Sequence, residues 1–594
     1  MELTRIFDLL PRYKKKFMSK DDVVAGKEDG KWVKYNIDRY IEIANNISYA
    51  FLELGIKPGD KIASISHNCP EWNFLDMGIL QTGAIHVPVY STISESDYKY
   101  ILNHAEVKYV FVAGKELLRK IEHILPEIPS LQGLYTFKHI DEVKHLNELI
   151  ELGKQNPNQK KLEEIKANIK TDDIATLIYT SGTTGIPKGV ILTHNNILSD
   201  VEGIYKILPL DETCKGVSYL PLCHIYERTN IYTFHYIGIS IYYAESMGTI
   251  ADNIREVKPD ILTTVPRLLE KVYDKIIAQG RNLKGIKKTI FFWSVNLAND
   301  YELQGKSLFY KIKLSIANKL VFKKWREALG GNLRMIVSGG AAIQPRLSKI
   351  FTAAGIPVLQ GYGLTETSPV IAVNTFEKDG QKWGTVGKPL FNVKVKIAED
   401  GEILCKGPNV MKGYFKEPEL TTETINEEGW LHTGDIGAID SDGHLCITGR
   451  KKEIFKTSLG KYISPQLIEN KLKESPFIDV LIVTGENQKY AAALIVPDFN
   501  HLRSWCAVKG IEYTTNEEMV TMQVIKNRFK REIDHYNSFF GNTEKIMSFD
   551  ILGKEWSIDS GELTASLKLK RAFIQEKYQE QIDTLFNISK KMLL

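Results

Sequence analysis

Cysteine is scarce. There are six in 594 residues (Cys69, Cys214, Cys223, Cys405, Cys446 and Cys506), and no two stand in a CxxC pair. That spacing excludes a zinc-finger framework and a disulfide scaffold, and it suits a reducing compartment. Long apolar runs are missing too. The most conspicuous, Ile231 to Ala244, carries His235 and several tyrosines. At about fourteen residues it is too short to span a bilayer, and a buried core segment is expected there. The opening residues, Met1 to Asp8, hold no apolar stretch of the secretory kind. Charge of one sign in excess is also absent: 77 Lys+Arg against 73 Asp+Glu leaves +4. This gives no footing for a nucleic-acid partner. A cytoplasmic protein is expected. Peripheral contact with the inner membrane face stays open, because a surface helix needs no long apolar run.

What is there is a globular composition, 43% hydrophobic and 25% charged, with enough apolar surface for several domain-sized units. Short apolar runs alternate with amphipathic stretches. Arg39 to Leu54 has helical spacing and stops at Gly55; Pro70 to Gly83 reads as a second helix. Lys61–Ile65, Ala84–Val89 and Tyr109–Ala113 read as strands. This rhythm predicts an α/β fold with parallel, helix-covered sheets. Met335–Val337 is a strand followed by the loop Ser338-Gly339-Gly340-Ala341, then a helix opened by Pro345, then the strand Ile356–Gln360. Ligands in such sheets bind at the carboxyl ends of strands, which points to Gly340 and Ala341 and to whatever follows Gln360. Near residue 400 short strands with Asp-Gly turns take over, as in a small antiparallel subdomain. A final segment mixing strands and helices follows Lys452. The expected organisation is a large body of several subdomains over 1–450 and a smaller α+β domain over 451–594.

The segment Thr180-Ser181-Gly182-Thr183-Thr184-Gly185-Ile186-Pro187-Lys188 closes a β-type run. Its glycines free backbone N–H groups to face an anion, its hydroxyls add donors, and Lys188 adds charge. A helix starting near His194 would add its positive end. This is a polyphosphate cradle without the second glycine of a Walker A loop. Gly361-Tyr362-Gly363-Leu364-Thr365-Glu366 follows the predicted strand. Tyr362 offers a face for a purine, Thr365 a hydroxyl for a phosphate, and Glu366 a hard oxygen ligand for Mg²⁺.

The wording YTSGTTGIPKGV resembles the signature of the adenylate-forming (AMP-binding) superfamily. The likeness recurs in order: GYGLTE at Gly361–Glu366, TGD at Thr433–Asp435, GRKKE at Gly449–Glu453, and a C-terminal lysine at Lys568 within TASLKLKR. The resemblance implies ATP, Mg²⁺ and coenzyme A as reactants and cofactors. It implies Asp435 on the ribose diol, Arg450 as a second ribose or phosphate contact, and Lys568 as the catalytic lysine. It also implies a mobile C-terminal domain that turns about a hinge at Lys452. Leu220-Pro221-Leu222-Cys223-His224-Ile225-Tyr226-Glu227-Arg228 resembles the LPLxHxxER segment of long-chain fatty acyl-CoA synthetases, with His224 beside the acyl site. The implied activity is ligation of a long-chain fatty acid to coenzyme A through an acyl-adenylate; the alternative is an acyl-AMP ligase loading a carrier protein. One departure stands out. Lys456-Thr457-Ser458-Leu459-Gly460 carries Leu459 where the family has glycine, on the implied coenzyme A path beside Gly460.

Overall fold

The computed structural model describes residues 3–17, 19–181, 186–246, 248–557, 560–564 and 568–592. The chain divides into two compact units: Met1–Lys396 with Leu404–Thr433 and Ile439–Leu445, and Ile397–Ile403 with Gly434–Ala438 and Cys446–Leu594.

Two sheets organise the first unit. One has seven strands, in the order Gly413–Tyr414, Pro187–Thr193, Ile174–Ser181, Ile85–Val89, Lys61–Ile65, Val107–Val112 and Gly133–Thr136. The last five run parallel and the first two are antiparallel additions at the edge. The expected strands at 61–65, 84–89 and 109–113 are therefore present and adjacent. Their near-continuous apolar sequences (Ala63, Ile65, Val87, Val110, Val112) are buried, as parallel strands covered on both faces require. The other sheet has nine strands, with Ser240–Tyr243, Lys215–Ser218, Ile261–Thr264, Met335–Ser338 and Val358–Gly363 as its parallel centre.

Helices cover these sheets. Ile37–Glu53 is capped by the Asn36 side chain, which accepts from the Arg39 N–H at 2.9 Å. Pro70–Gln81 starts with proline in its first turn and is buried along its length. The apolar run around Ile231 is split: helix Ile225–Ile237 ends at Gly238 in the left-handed region (φ 97°), and strand Ser240–Tyr243 follows. Both pieces are buried. No helix among the described residues is long and apolar enough to cross a membrane.

A fully buried ionic network locks helix to sheet. Arg228, on helix Ile225–Ile237, pairs with Asp76 and donates to Thr176 Oγ1 and to Tyr232 Oη, each at 2.7 Å. Asp76 also takes His86 Nδ1 at 2.7 Å, and His86 Nε2 meets Ser64 Oγ at 2.8 Å. Burial alone would raise the Asp76 pKa; Arg228 and the hydrogen bonds from His86 and Tyr232 outweigh it and hold it below the ordinary range. Burial lowers that of His86, keeping the ring neutral.

The second unit has its own core. Strands Ile478–Thr484, Ala491–Pro497 and Ile546–Ile551 form a sheet. Helices Pro465–Leu472, Phe499–Lys509 and Gln523–Asn537 contribute Ile468, Leu502 and Phe529 to the apolar cluster on it.

Candidate functional site

The cradle segment lies on an antiparallel hairpin. Strand Ile174–Ser181 pairs with Pro187–Thr193 in a register that sets Thr180 directly opposite Lys188. Opposed residues of a ladder share one face, so the hydroxyl and the ammonium emerge together. Gly182, Thr183, Thr184 and Gly185 lie outside the described residues, as does the side chain of Ser181. The helix contribution expected at this loop is corrected. Helix His194–Tyr205 begins only after the whole of strand Pro187–Thr193, a seven-residue strand, and so about 20 Å further along. Its first N–H groups are met by the Thr193 side chain and by the Asp173 carbonyl, at the opposite end of the hairpin.

The GYGLTE segment is also placed differently from the expectation. It does not follow the strand; strand Val358–Gly363 runs through Gly361, Tyr362 and Gly363, which pair with Val370–Val373. Gly363 is explained by packing, because a Cβ there would stand 1.7 Å from the Pro369 carbonyl oxygen. At Gly361 the nearest atom would be 3.6 Å away, so the fold places no such demand on it. The strand then breaks into a short 3-10 turn, Thr365–Thr367, carrying Thr365 and Glu366, both half-buried.

That turn is held from four sides. Thr367 Oγ1 donates to the Pro369 carbonyl at 2.6 Å, and Asn409 Nδ2 donates to the Thr367 and Val370 carbonyls at 3.1 and 2.9 Å. The Met411 N–H donates to the Glu366 carbonyl at 2.8 Å. Tyr414 donates its phenol to Glu366 Oε1 at 2.8 Å, and its ring lies 5.8 Å from Lys188 Nζ. Burial, then the Glu366 charge, pushes the Tyr414 pKa far up, so the phenol stays protonated and donating. The tertiary fold thus links Lys188, Tyr414 and Glu366. Sequence reasoning missed Tyr414 and Asn409. Tyr414 stands 48 residues beyond Glu366, and its strand is a two-residue edge, Gly413–Tyr414, too short to carry a periodic signal.

The loop Ser338–Ala341 lies at the carboxyl end of strand Met335–Ser338, with Gly340 in the left-handed region (φ 79°) and Gly340 and Ala341 exposed. Ser338 Oγ is buried and has no hydrogen-bond partner among the described residues. Beneath the loop, Tyr226 donates to the Val337 carbonyl at 3.0 Å, and its ring would meet a Cβ on Gly339 at 3.1 Å. His224 is the N-cap of helix Ile225–Ile237: its Nδ1 accepts the Tyr226 N–H at 3.1 Å. In a neutral ring that leaves the proton on Nε2. Glu227 is buried and accepts from Ser218 Oγ at 2.6 Å and Thr263 Oγ1 at 3.0 Å. Burial raises its pKa to about 7 against those two hydrogen bonds.

In the second unit Asp435 lies on strand Leu431–Ile439 and is almost wholly buried. Arg450, expected as a second ribose or phosphate contact, pairs with it: Arg450 Nε is 2.9 Å from Asp435 Oδ1. Lys452 is exposed in the turn after strand Leu445–Arg450, whose Glu453 and Ile454 N–H groups return to the Arg450 carbonyl. Lys568 is exposed, on a loop closed by its N–H to Thr564 Oγ1 at 3.0 Å and by the Thr564 N–H to its carbonyl at 2.8 Å. Its neighbour Arg571 is held by Glu453 at 2.9 Å and by Glu469, which assigns that cation to the fold. Leu459 and Gly460 form the tip of the turn between Phe455–Lys456 and Tyr462–Ile463. Gly460 takes the left-handed position (φ 77°) and Leu459 is 67% exposed, so leucine there costs the fold nothing.

Comparison with known proteins follows this geometry. Residues 14–415 match the family described as AMP-binding enzyme, and residues 452–590 match AMP-binding enzyme C-terminal domain. Relatives include a long-chain-fatty-acid–CoA ligase of Mycobacterium bovis, 32% identical over 94% of this chain and 93% of that protein. Fatty acyl-CoA synthetase A of Dictyostelium discoideum is also 32% identical, over 94% and 86%. Among solved structures, the adenylation domain of a carboxylate reductase from Mycobacterium chelonae has a TM-score of 0.76 at 20% identity, covering 98% of this chain and 91% of that one. An anthranilate CoA ligase in complex with anthranoyl-AMP has a TM-score of 0.73 at 20% identity, covering 96% and 97%.

Proposed function

The chain belongs to the AMP-binding enzyme family, and on that footing we propose that it is a long-chain fatty acid–CoA ligase. The fatty acid carboxylate attacks the α-phosphorus of ATP, pyrophosphate leaves, and the thiol of coenzyme A then displaces AMP from the acyl-adenylate. No covalent enzyme intermediate is needed; positioning and electrostatics do the work. The observation that carries this reading is the activity named for relatives that align over 94% of the chain. The linked Lys188–Tyr414–Glu366 group supports it. A carrier-protein acceptor is the less favoured reading, because these relatives are named as CoA ligases and synthetases.

We assign the roles as follows. Thr180, Lys188 and the residues 181–185 hold the β- and γ-phosphates, with Gly340 and Ala341 lining the nucleotide. Tyr362 stacks on the purine, between Gly361 and Gly363. Thr365 donates to the α-phosphate. Glu366, its carboxylate aimed by Tyr414, is the residue to hold Mg²⁺, which would neutralise phosphate charge. Asp435 accepts the ribose diol, and Arg450, paired with it, is a second ribose or phosphate contact. Lys568 stabilises the charge that builds on the α-phosphate during adenylation. The second unit then turns at Lys452, bringing Leu459 and Gly460 to the coenzyme A path. His224 borders the acyl site.

The test is pyrophosphate exchange with ATP across a series of carboxylic acids, followed by product analysis with and without coenzyme A. Exchange peaking with long-chain acids, and thioester formed on adding coenzyme A, is expected. Exchange without thioester would transfer the reading to a carrier-protein ligase; no exchange with any acid would overturn it.

A further inference from the structure

Charge is not spread evenly along this chain. Residues 281–324 hold ten Lys and Arg against two Asp and Glu, a net +8; the remaining 550 residues hold 67 against 71, a net −4. Exposed apolar side chains concentrate in the same stretch. Eight of the twenty large exposed hydrophobics among the described residues fall between Leu283 and Leu320.

Helix Leu308–Ala317, continued by a π turn at Asn318–Phe322, brings the two together. Its inner side is used: Ala317, Val321 and Phe322 are buried in the core, and Leu314 packs against it. Its outer side is apolar as well, with Leu308 75%, Phe309 65%, Ile312 52%, Ile316 47% and Leu320 50% exposed. At 100° per residue, Leu308, Phe309, Ile312 and Ile316 fall within an arc of about 100°. Lys311 and Lys313 flank that arc on its two sides, and Lys313 Nζ lies 4.2 Å from the Phe309 ring centroid. Among the described residues Lys306, Lys311, Lys313 and Lys319 make no ion pair. From Leu303 to Arg326 there is no acidic residue.

An apolar stripe edged by lysines is the pattern of a helix lying in the interface of an anionic bilayer: the stripe enters the acyl boundary and the lysines reach the headgroups. A second copy docked isologously on this face would set the same lysines against one another, which disfavours self-association. A nucleic acid would use the lysines and leave the isoleucines and leucines without a partner. We propose that the outer face of Leu308–Leu320 docks this protein on anionic membrane surfaces. Binding itself does not depend on the ligase reading; only its use, taking up a fatty acid dissolved in the membrane, rests on that reading.

The test uses the full chain and co-sedimentation with vesicles of phosphatidylcholine alone or with about 30% phosphatidylglycerol, at about 0.1 M and about 0.5 M salt. Binding to the anionic vesicles that weakens with salt is expected. K311Q/K313Q/K319Q should lower the partition coefficient about 100-fold, at about fivefold per lysine. L308S/F309S should lower it about tenfold or more. Four of the five positions are exposed and Lys313 is half-buried, and pyrophosphate exchange with a short, water-soluble acid is expected to be unchanged in both variants. The proposal is overturned if anionic vesicles bind no better than neutral ones, if either variant binds like the parent, or if sedimentation shows a dimer that L308S/F309S dissociates. Failure of the ligase reading would show instead as absent exchange with vesicle binding intact.

Discussion

Replacing Glu227 by glutamine should make the first unit more stable, and by an amount that depends on pH. Glu227 is 1% exposed and accepts from the Ser218 and Thr263 hydroxyls. Burial raises its pKa from the ordinary 4.5 to about 7. The protonated carboxyl is thus the form the fold prefers. Its stabilising contribution is fully present below pH 4.5 and is lost as pH rises through about 7. The whole shift corresponds to about 3 kcal/mol, of which about 2.5 kcal/mol falls between about pH 5 and about pH 8. Glutamine keeps an acceptor for one hydroxyl, can donate to the other, and does not titrate. The assay is thermal unfolding of both proteins across that range. For a unit of roughly 430 residues, 2.5 kcal/mol corresponds to about 3 °C in Tm. The variant should therefore gain about 3 °C on the parent between about pH 5 and about pH 8. A gap that does not change with pH, or one that narrows as pH rises, would refute the burial argument.

Four further outcomes are expected. Tyr414→Phe removes one hydrogen bond to a carboxylate, worth about 1.5–3 kcal/mol, and should lower kcat/KM for ATP in pyrophosphate exchange about 10- to 100-fold while leaving Tm within about 2 °C. Lys568→Ala should abolish exchange yet still convert supplied acyl-AMP and coenzyme A to thioester, as single-turnover assays would show; normal exchange would remove Lys568 from its role. Arg228→Ala leaves Asp76 charged and buried without its partner, and should cost about 3–5 kcal/mol, read as a fall in the denaturation midpoint. Leu459→Gly should leave exchange unchanged; a lower KM for coenzyme A would show that the leucine narrows that path.

Much of the proposed site was legible because the residues assigned to the nucleotide cluster in short runs. Glycines, hydroxyls and a lysine within nine residues at Thr180–Lys188 are the pattern expected of an anion cradle, and GYGLTE stands out in the same way. The alternation of apolar runs placed parallel strands at 61–65, 84–89 and 109–113, within two residues of those observed, since a strand buried on both faces must be apolar throughout. Helix ends were legible to within about two residues from proline and glycine.

Other features depend on pairs far apart in the chain, which no local pattern encodes. That Arg571 is held by Glu453 and Glu469 rests on ion pairs across more than a hundred residues. That Arg450 pairs with Asp435 follows from two strands meeting. The helix after Thr193 proved distant from the cradle because an intervening strand reverses the chain. The sequence by itself determined the fold class, the family and the chemical groups of the site, because local periodicity and short-range donor clusters are properties of contiguous residues. Only the tertiary structure decided which groups work in pairs, which face of Leu308–Ala317 is left to solvent, and which carboxyls burial pushes toward the protonated form, because burial and charge pairing arise when distant segments exclude water together.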